Sequence, residues 1–225
     1  MSTVGAGSVP TGGSGGTGGP SGGFETSQAA DGTTTVVRRT RETDISVSLR
    51  LAGSGRTDVA TGIGFYDHLL ASLAHHALFD LAVGARGDLH VDEHHTIEDV
   101  ALVLGAALAA ALGERAGIAR FGDAAVPMDE ALATAVVDVG GRPYAVVDLP
   151  FRGERVGALP LQLVEHALEA FARTGGVTLH VGGTGRNDHH LAEAAFKALG
   201  RALREACAPD ERRGGAVAST KGSLG

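Results

Sequence analysis

From Thr35 onward apolar and polar residues alternate, most regularly in ISVSLRL at Ile45 to Leu51, and a period of two predicts a strand with one buried face. The period then lengthens. Between Phe65 and Leu78 the apolar residues Leu69, Leu70, Leu73 and Ala77 share one helical face, as in a helix packed on a sheet. FDLAVGARGDLHV reads as two strands joined at Gly84 to Gly87. Thr96 to Leu112 reads as a second helix, and the region Gly113 to Gly122 closes the unit. A second series follows in the same order. It has strands in ALATAVVDV and GRPYAVVDL, a helix in PLQLVEHALEAFA, a strand in VTLHV and a long helix in LAEAAFKALGRALREA.

Aligning DHLLASLAHHALFDLAV with EHALEAFARTGGVTLHV sets His68 opposite His166 and Asp67 opposite Glu165, at an offset of 98 residues. Aligning HHTIED with HHLAEA pairs two adjacent histidines and a glutamate at an offset of 95 residues. The small difference is a change in loop length, as expected for a duplicated unit. The predicted class is therefore α/β (α+β), a tandem duplication of a βαβ-containing module whose sheet carries helices on one face. The first repeat is assigned to residues 35–122, the second to 123–208 and a C-terminal segment to 209–225. Residues 1–34, with eleven of the 35 glycines and only Glu25 and Asp31 as charges, are expected to form a disordered tail, because they bury too little apolar surface to offset ordering.

Composition narrows the function. A chain of 225 residues, 43% hydrophobic, closes one globular unit or two small joined ones. A formal charge of −7 argues against nucleic acid and anionic membrane as partners. Val100 to Leu112 is too short an apolar run to cross a bilayer, and no secretory pattern opens the chain, so a cytoplasmic location is expected. One cysteine, Cys207, excludes a disulfide framework and a thiolate-rich zinc site. The ten histidines, by contrast, all lie between His68 and His190.

In HHTIED, helical spacing puts Glu98 on one face with His94 and His95, so imidazole and carboxylate can converge on a cation. One such copy equally suits a solvated helix start. The second copy, His189, His190 and Glu193, with His68 and His166 on matching helices, makes six imidazoles and two carboxylates, a supply for two metal ions. Nitrogen and oxygen donors suit manganese, iron or zinc. His90 and His180 read as half-buried sheet residues, and His76 shares a helical face with His68. Arg120 in GIARFG, Arg142 in GGRPY and the Ser219 to Lys221 run are the donors a phosphate monoester needs, although each singly also reads as a solvated surface group.

Taken together, FYDHLLASLAHHALFDL, DEHHTIEDV, VPMDEALATAVVDVGGRPY, GRNDHHLAEAAFKALGRAL and the terminal STKG resemble the imidazoleglycerol-phosphate dehydratase family in its single-function form, from about Thr40 to the C-terminus. The resemblance implies dehydration of imidazole glycerol phosphate to imidazole acetol phosphate in histidine biosynthesis. It also implies two manganese ions per active site and a homo-oligomer, commonly a 24-mer, with sites between subunits. It implies His68, His94, His95, Glu98, His166, His189, His190 and Glu193 as metal ligands. Glu42 and His76 become substrate contacts, and Arg120, Arg142, Lys197, Ser219 and Lys221 a phosphate grip. The proton to be removed lies beside imidazole rather than a carbonyl, so cations on both ring nitrogens would hold the ring as imidazolate while a carboxylate, Glu42, Glu98 or Glu193, moves protons. Family members often carry glutamine where this chain has Ser72, and no block of the haloacid-phosphatase type accompanies the module. A dinuclear phosphate-ester hydrolase and a non-catalytic metal-bridged assembly protein are the rival readings.

Overall fold

A computed structural model describes residues 23–224, in two mixed sheets with a layer of four helices between them. The first sheet contains β1 (Glu25–Gln28), β2 (Thr34–Arg39), β3 (Thr43–Arg50), β4 (Thr57–Ala60) and β5 (Asp80–Gly87), in the spatial order β1-β2-β3-β5-β4. Helices α1 (Gly64–Ala77) and α2 (His94–Leu112) pack on it. The second sheet contains β6 (Phe121–Met128), β7 (Ala131–Asp138), β8 (Tyr144–Asp148) and β11 (Thr178–Thr184), in the order β6-β7-β11-β8. It carries α3 (Gln162–Gly175) and α4 (Asp188–Cys207), while β9 (Arg155–Val156) and β10 (Leu159–Pro160) form a small hairpin ahead of α3.

The halves match strand for strand. An antiparallel hairpin (β2–β3, β6–β7) is extended by an antiparallel third strand (β5, β11), which pairs in parallel with a fourth (β4, β8). Each parallel pair is joined through one helix, α1 or α3, giving the βαβ unit expected from the duplication. On β3, Ile45, Val47 and Leu49 face the helices and are at most 2% exposed. On β7 the inward residues are Ala131, Ala133, Ala135 and Val137, small enough for α4 to lie close. Helix pairing crosses between the halves: α2 packs on α3, and α4 packs on α1. Gly105 and Gly200, again 95 positions apart, make both crossings possible. A Cβ on Gly105 would overlap the carbonyl oxygen of Phe171, and one on Gly200 that of Leu73. Helix α2 is long and apolar enough to cross a membrane by length and composition, but Ile97, Val100, Val103, Ala107 and Leu108 are buried, so it is a core helix of this fold.

Four expectations change. FDLAVGARGDLHV holds one strand: Gly84 sits inside β5, paired with Ser46 on β3 and Ala60 on β4, and a residue paired on both sides cannot turn. His90 therefore lies in the exposed turn after β5, and His180, though on β11, faces outward and is exposed. FGDAAVPM forms strand β6, which the glycine and proline had obscured. The disorder expected as far as residue 34 does not hold for Glu25–Gln28, which pairs with β2 as an edge strand; the rest of that expectation, on residues 1–22, lies outside the described residues.

Candidate metal centres

The crossed helix pairs bring the repeated histidines together. His68 on α1 meets His189 and Glu193 on α4, and His166 on α3 meets His94 and Glu98 on α2. In each trio one nitrogen or oxygen from every side chain lies within 4.8 Å of the others, so two imidazoles and a carboxylate can share one cation. Each trio draws on both halves, so neither half holds a complete cluster. The helix starts are fixed in the same way: Asp92 Oδ1 accepts the backbone N–H of His94 at 2.9 Å, and Asn187 Oδ1 accepts those of His189 and His190 at 3.0 and 3.4 Å.

The surroundings differ. Glu193 Oε2 lies 3.0 Å from His68 Nε2 and 3.1 Å from His189 Nε2, and Lys197 Nζ lies 2.7 Å from its other oxygen. Burial works against this carboxylate, but the hydrogen bonds from His68 and Lys197 overcome that cost and hold it down at about 2. Phe65 covers the cluster, its ring 4.7 Å from that of His189. In the other trio His94 and His166 rings are 4.7 Å apart, and Glu98 receives a 3.0 Å hydrogen bond from Arg173. His166 Nε2 is buried with no hydrogen-bond partner among the described residues and stands 3.5 Å from Glu98 Oε1. A cleft of about 750 Å³ opens beside this trio, lined by His94, Glu165, Phe151 and Arg155.

His95 and His190 do not join these trios, contrary to the expectation that Glu98 shares a face with both adjacent histidines. Successive helical residues diverge by about 100°. The second histidine of each pair therefore reaches different partners from the first. Instead His95 Nδ1 lies 2.9 Å from Asp88 Oδ2 and 3.8 Å from Glu42 Oε2, and these three form a further donor group. The hydrogen bond with Asp88 raises the His95 imidazole above the ordinary histidine value and lowers Asp88. His190 Nδ1 lies 2.9 Å from Glu130 Oε2. That contact, with backbone N–H bonds from Arg186 and Asn187, holds Glu130 at about 2.

The residues expected to bind the phosphate separate. Arg120 donates from Nε and Nη2 to Asp138, at 2.7 and 2.8 Å, and from Nη1 to the Ala218 carbonyl at 2.6 Å. Arg142 reaches within 3.9 Å of the same aspartate, and the Ser219 hydroxyl accepts the backbone N–H of Lys221. These groups gather at the Phe121 end of β6, whereas Lys197 touches Met128 at its other end, roughly 24 Å away by strand rise. His76 lies apart from the trios, beside a hollow lined by Asp123, Arg201, Arg204 and Glu205, and burial lowers its imidazole. Asp88, Glu130 and Asp138 were not legible as site neighbours, because hairpin turns and strand ends bring them in; only the VPMDE turn carried a trace of Glu130.

The imidazoleglycerol-phosphate dehydratase family model matches residues 61–203. Imidazoleglycerol-phosphate dehydratase of Cereibacter sphaeroides is 52% identical over 190 residues, 84% of this chain and 97% of that protein. The one from Roseiflexus is 56% identical over 197 residues, 87% of this chain and 99% of that protein. Among solved structures, the Pyrococcus furiosus dehydratase superposes with a TM-score of 0.72 at 37% identity, covering 84% of this chain and 99% of that one. The Staphylococcus aureus dehydratase gives 0.69 at 34% identity, covering 74% and 95%. With both trios, the duplicated fold and relatives matched along nearly their whole length, the chain belongs to the imidazoleglycerol-phosphate dehydratase family, hydro-lyases of histidine biosynthesis.

Proposed function

We propose that this chain dehydrates imidazole glycerol phosphate to imidazole acetol phosphate with two manganese ions per active site, one at each trio. The observation that carries the reading is the mirrored pair of clusters, each assembled from both halves. The donor set fits a hard first-row cation. It offers imidazole and carboxylate without thiolate, Cys207 being a buried thiol pushed up to about 12 by desolvation, and His166 Nε2 is a buried nitrogen still lacking a partner. His68, His189 and Glu193 would hold one ion and His94, Glu98 and His166 the other, with His95 and His190 completing the sets of neighbouring copies. The ions would supply positive charge at the ring nitrogens, which lowers the cost of anionic character on imidazole.

The chain's own groups do the rest. Glu42, with its side chain 56% exposed and no hydrogen bond to His95, is the carboxylate free to face substrate and move a proton. Arg142, Ser219 and Lys221 grip the phosphate with the N–H groups of Arg120 that Asp138 and Ala218 leave open; Lys197 contributes from the other end of the sheet, and His76 from beside the Asp123 hollow. That separation favours a site shared between copies in a homo-oligomer, expected as a 24-mer. The outer face of the second sheet suits such contacts: Leu132, Val136, Tyr144 and Val146 are 41–65% exposed there. We place the enzyme in the cytoplasm, with neither nucleic acid nor membrane as partner. The test is direct assay of manganese-loaded protein on imidazole glycerol phosphate. Formation of imidazole acetol phosphate without inorganic phosphate supports the reading; phosphate release without dehydration refutes it.

A further inference from the structure

His95 and His190, the second histidines of the two pairs, are held by different carboxylates. Glu42 and Glu130 occupy matching places, each in the hairpin turn just before β3 or β7. In the second half the hairpin residue does the holding: Glu130 Oε2 takes His190 Nδ1 at 2.9 Å, while Oε1 accepts the backbone N–H groups of Arg186 and Asn187 at 2.9 and 2.8 Å. In the first half Asp88, seven residues before His95, takes Nδ1 at 2.9 Å and leaves Glu42 at 3.8 Å, beyond hydrogen-bond range. The residue seven places before His190 is Gly183, which has no side chain to offer.

We infer that Asp88 and Glu130 are positioning residues that fix His95 and His190 as Nδ1–H tautomers and leave each Nε2 lone pair for a cation, and that recruiting Asp88 is what frees Glu42 for substrate. An imidazole binds a cation only through an unprotonated nitrogen, and a carboxylate on the opposite nitrogen fixes both tautomer and ring direction. Duplication would have left two hairpin glutamates in one role; a second acid on β5's exit divides the work. The inference rests on the proposed role of His95 and His190 as metal ligands.

Glu130→Gln separates positioning from support. The amide oxygen keeps the Arg186 and Asn187 N–H bonds, but its NH₂ faces His190 Nδ1, so a donor meets a donor and the ring must move its proton to Nε2. Asp88→Ala removes the acceptor from His95; an asparagine could turn its amide oxygen to Nδ1, because Asp88 Oδ1 has no hydrogen-bond partner among the described residues to fix the flip. Manganous ion titrated into chelator-stripped full-length protein should bind about 10–100-fold more weakly at one of its two sites in each variant, with the Tm of the metal-free protein little changed. Glu42→Gln should bind both equivalents as the parent does. Parent affinity in both Glu130→Gln and Asp88→Ala overturns the inference. If Glu130→Gln fails to fold, Asp88→Ala alone decides. A His190→Ala control separates the levels: tight binding of both ions there refutes the ligand role itself. Loss there with retention in Glu130→Gln refutes only the positioning.

Discussion

A histidine pair at a helix start sends its two rings in different directions, and that divergence makes one chain serve two places. His94 and His189 turn to their trios, while His95 and His190 turn to Asp88 and Glu130. His95→Ala and His190→Ala are each expected to abolish turnover and lower bound metal, read by elemental analysis; normal metal content with normal turnover would exclude them as ligands. Arg120 has a double task. Because its guanidinium holds Asp138 and the Ala218 carbonyl, Arg120→Ala should weaken substrate binding and also cost about 3 kcal/mol of stability, seen as a lower Tm with metal content intact. Glu193 sets an acid limit on the metal-free protein. Its folded value near 2 lies below the ordinary 4.5, so its contribution is full above about pH 4.5 and is lost as pH falls toward 2. Glu193→Gln should flatten that part of the unfolding profile.

At the scale of elements, the distance between paired helices decides whether a trio can close. Gly105 and Gly200 sit where α2 crosses α3 and α4 crosses α1, and a methyl group at either meets a backbone carbonyl that no rotamer change can move. Gly200→Ala should gain about 1 kcal/mol of helix propensity yet lose more than that to overpacking, with a Tm several degrees lower and weaker manganese binding at the His68 trio. Unchanged metal affinity would separate the crossing from the site. Most of this framework could be read from the chain, since period-two and helical stripes mark β3, β7 and all four helices, and the 95- and 98-residue offsets identify equivalent parts. Strand β6 escaped because its inward positions include Gly122 and its alternation relies on alanines, and β5 was cut in two by glycines that pairing on both sides holds straight. The candidate ligand residues could be named from the chain, but their division into two trios and two histidines with other partners could not. That division depends on which helix packs on which, a tertiary fact with no local signature.

For the whole molecule, Arg120, Arg142 and the Ser219–Lys221 run lie far from Lys197, the separation on which the proposal of a shared site rests, and the second sheet has an exposed apolar face. Val136→Asp, in register with His180 in the middle of that face, should shift the particle to smaller species in light scattering while leaving the fold of each chain intact. An unchanged particle size would place the contacts elsewhere. The most direct measurement is the metal content of the assembled, active protein per chain, taken alongside its turnover of imidazole glycerol phosphate. Two ions per chain, with turnover lost on chelation and restored by manganese, is the expected result. Full dehydration by protein carrying one ion per chain or none would contradict it.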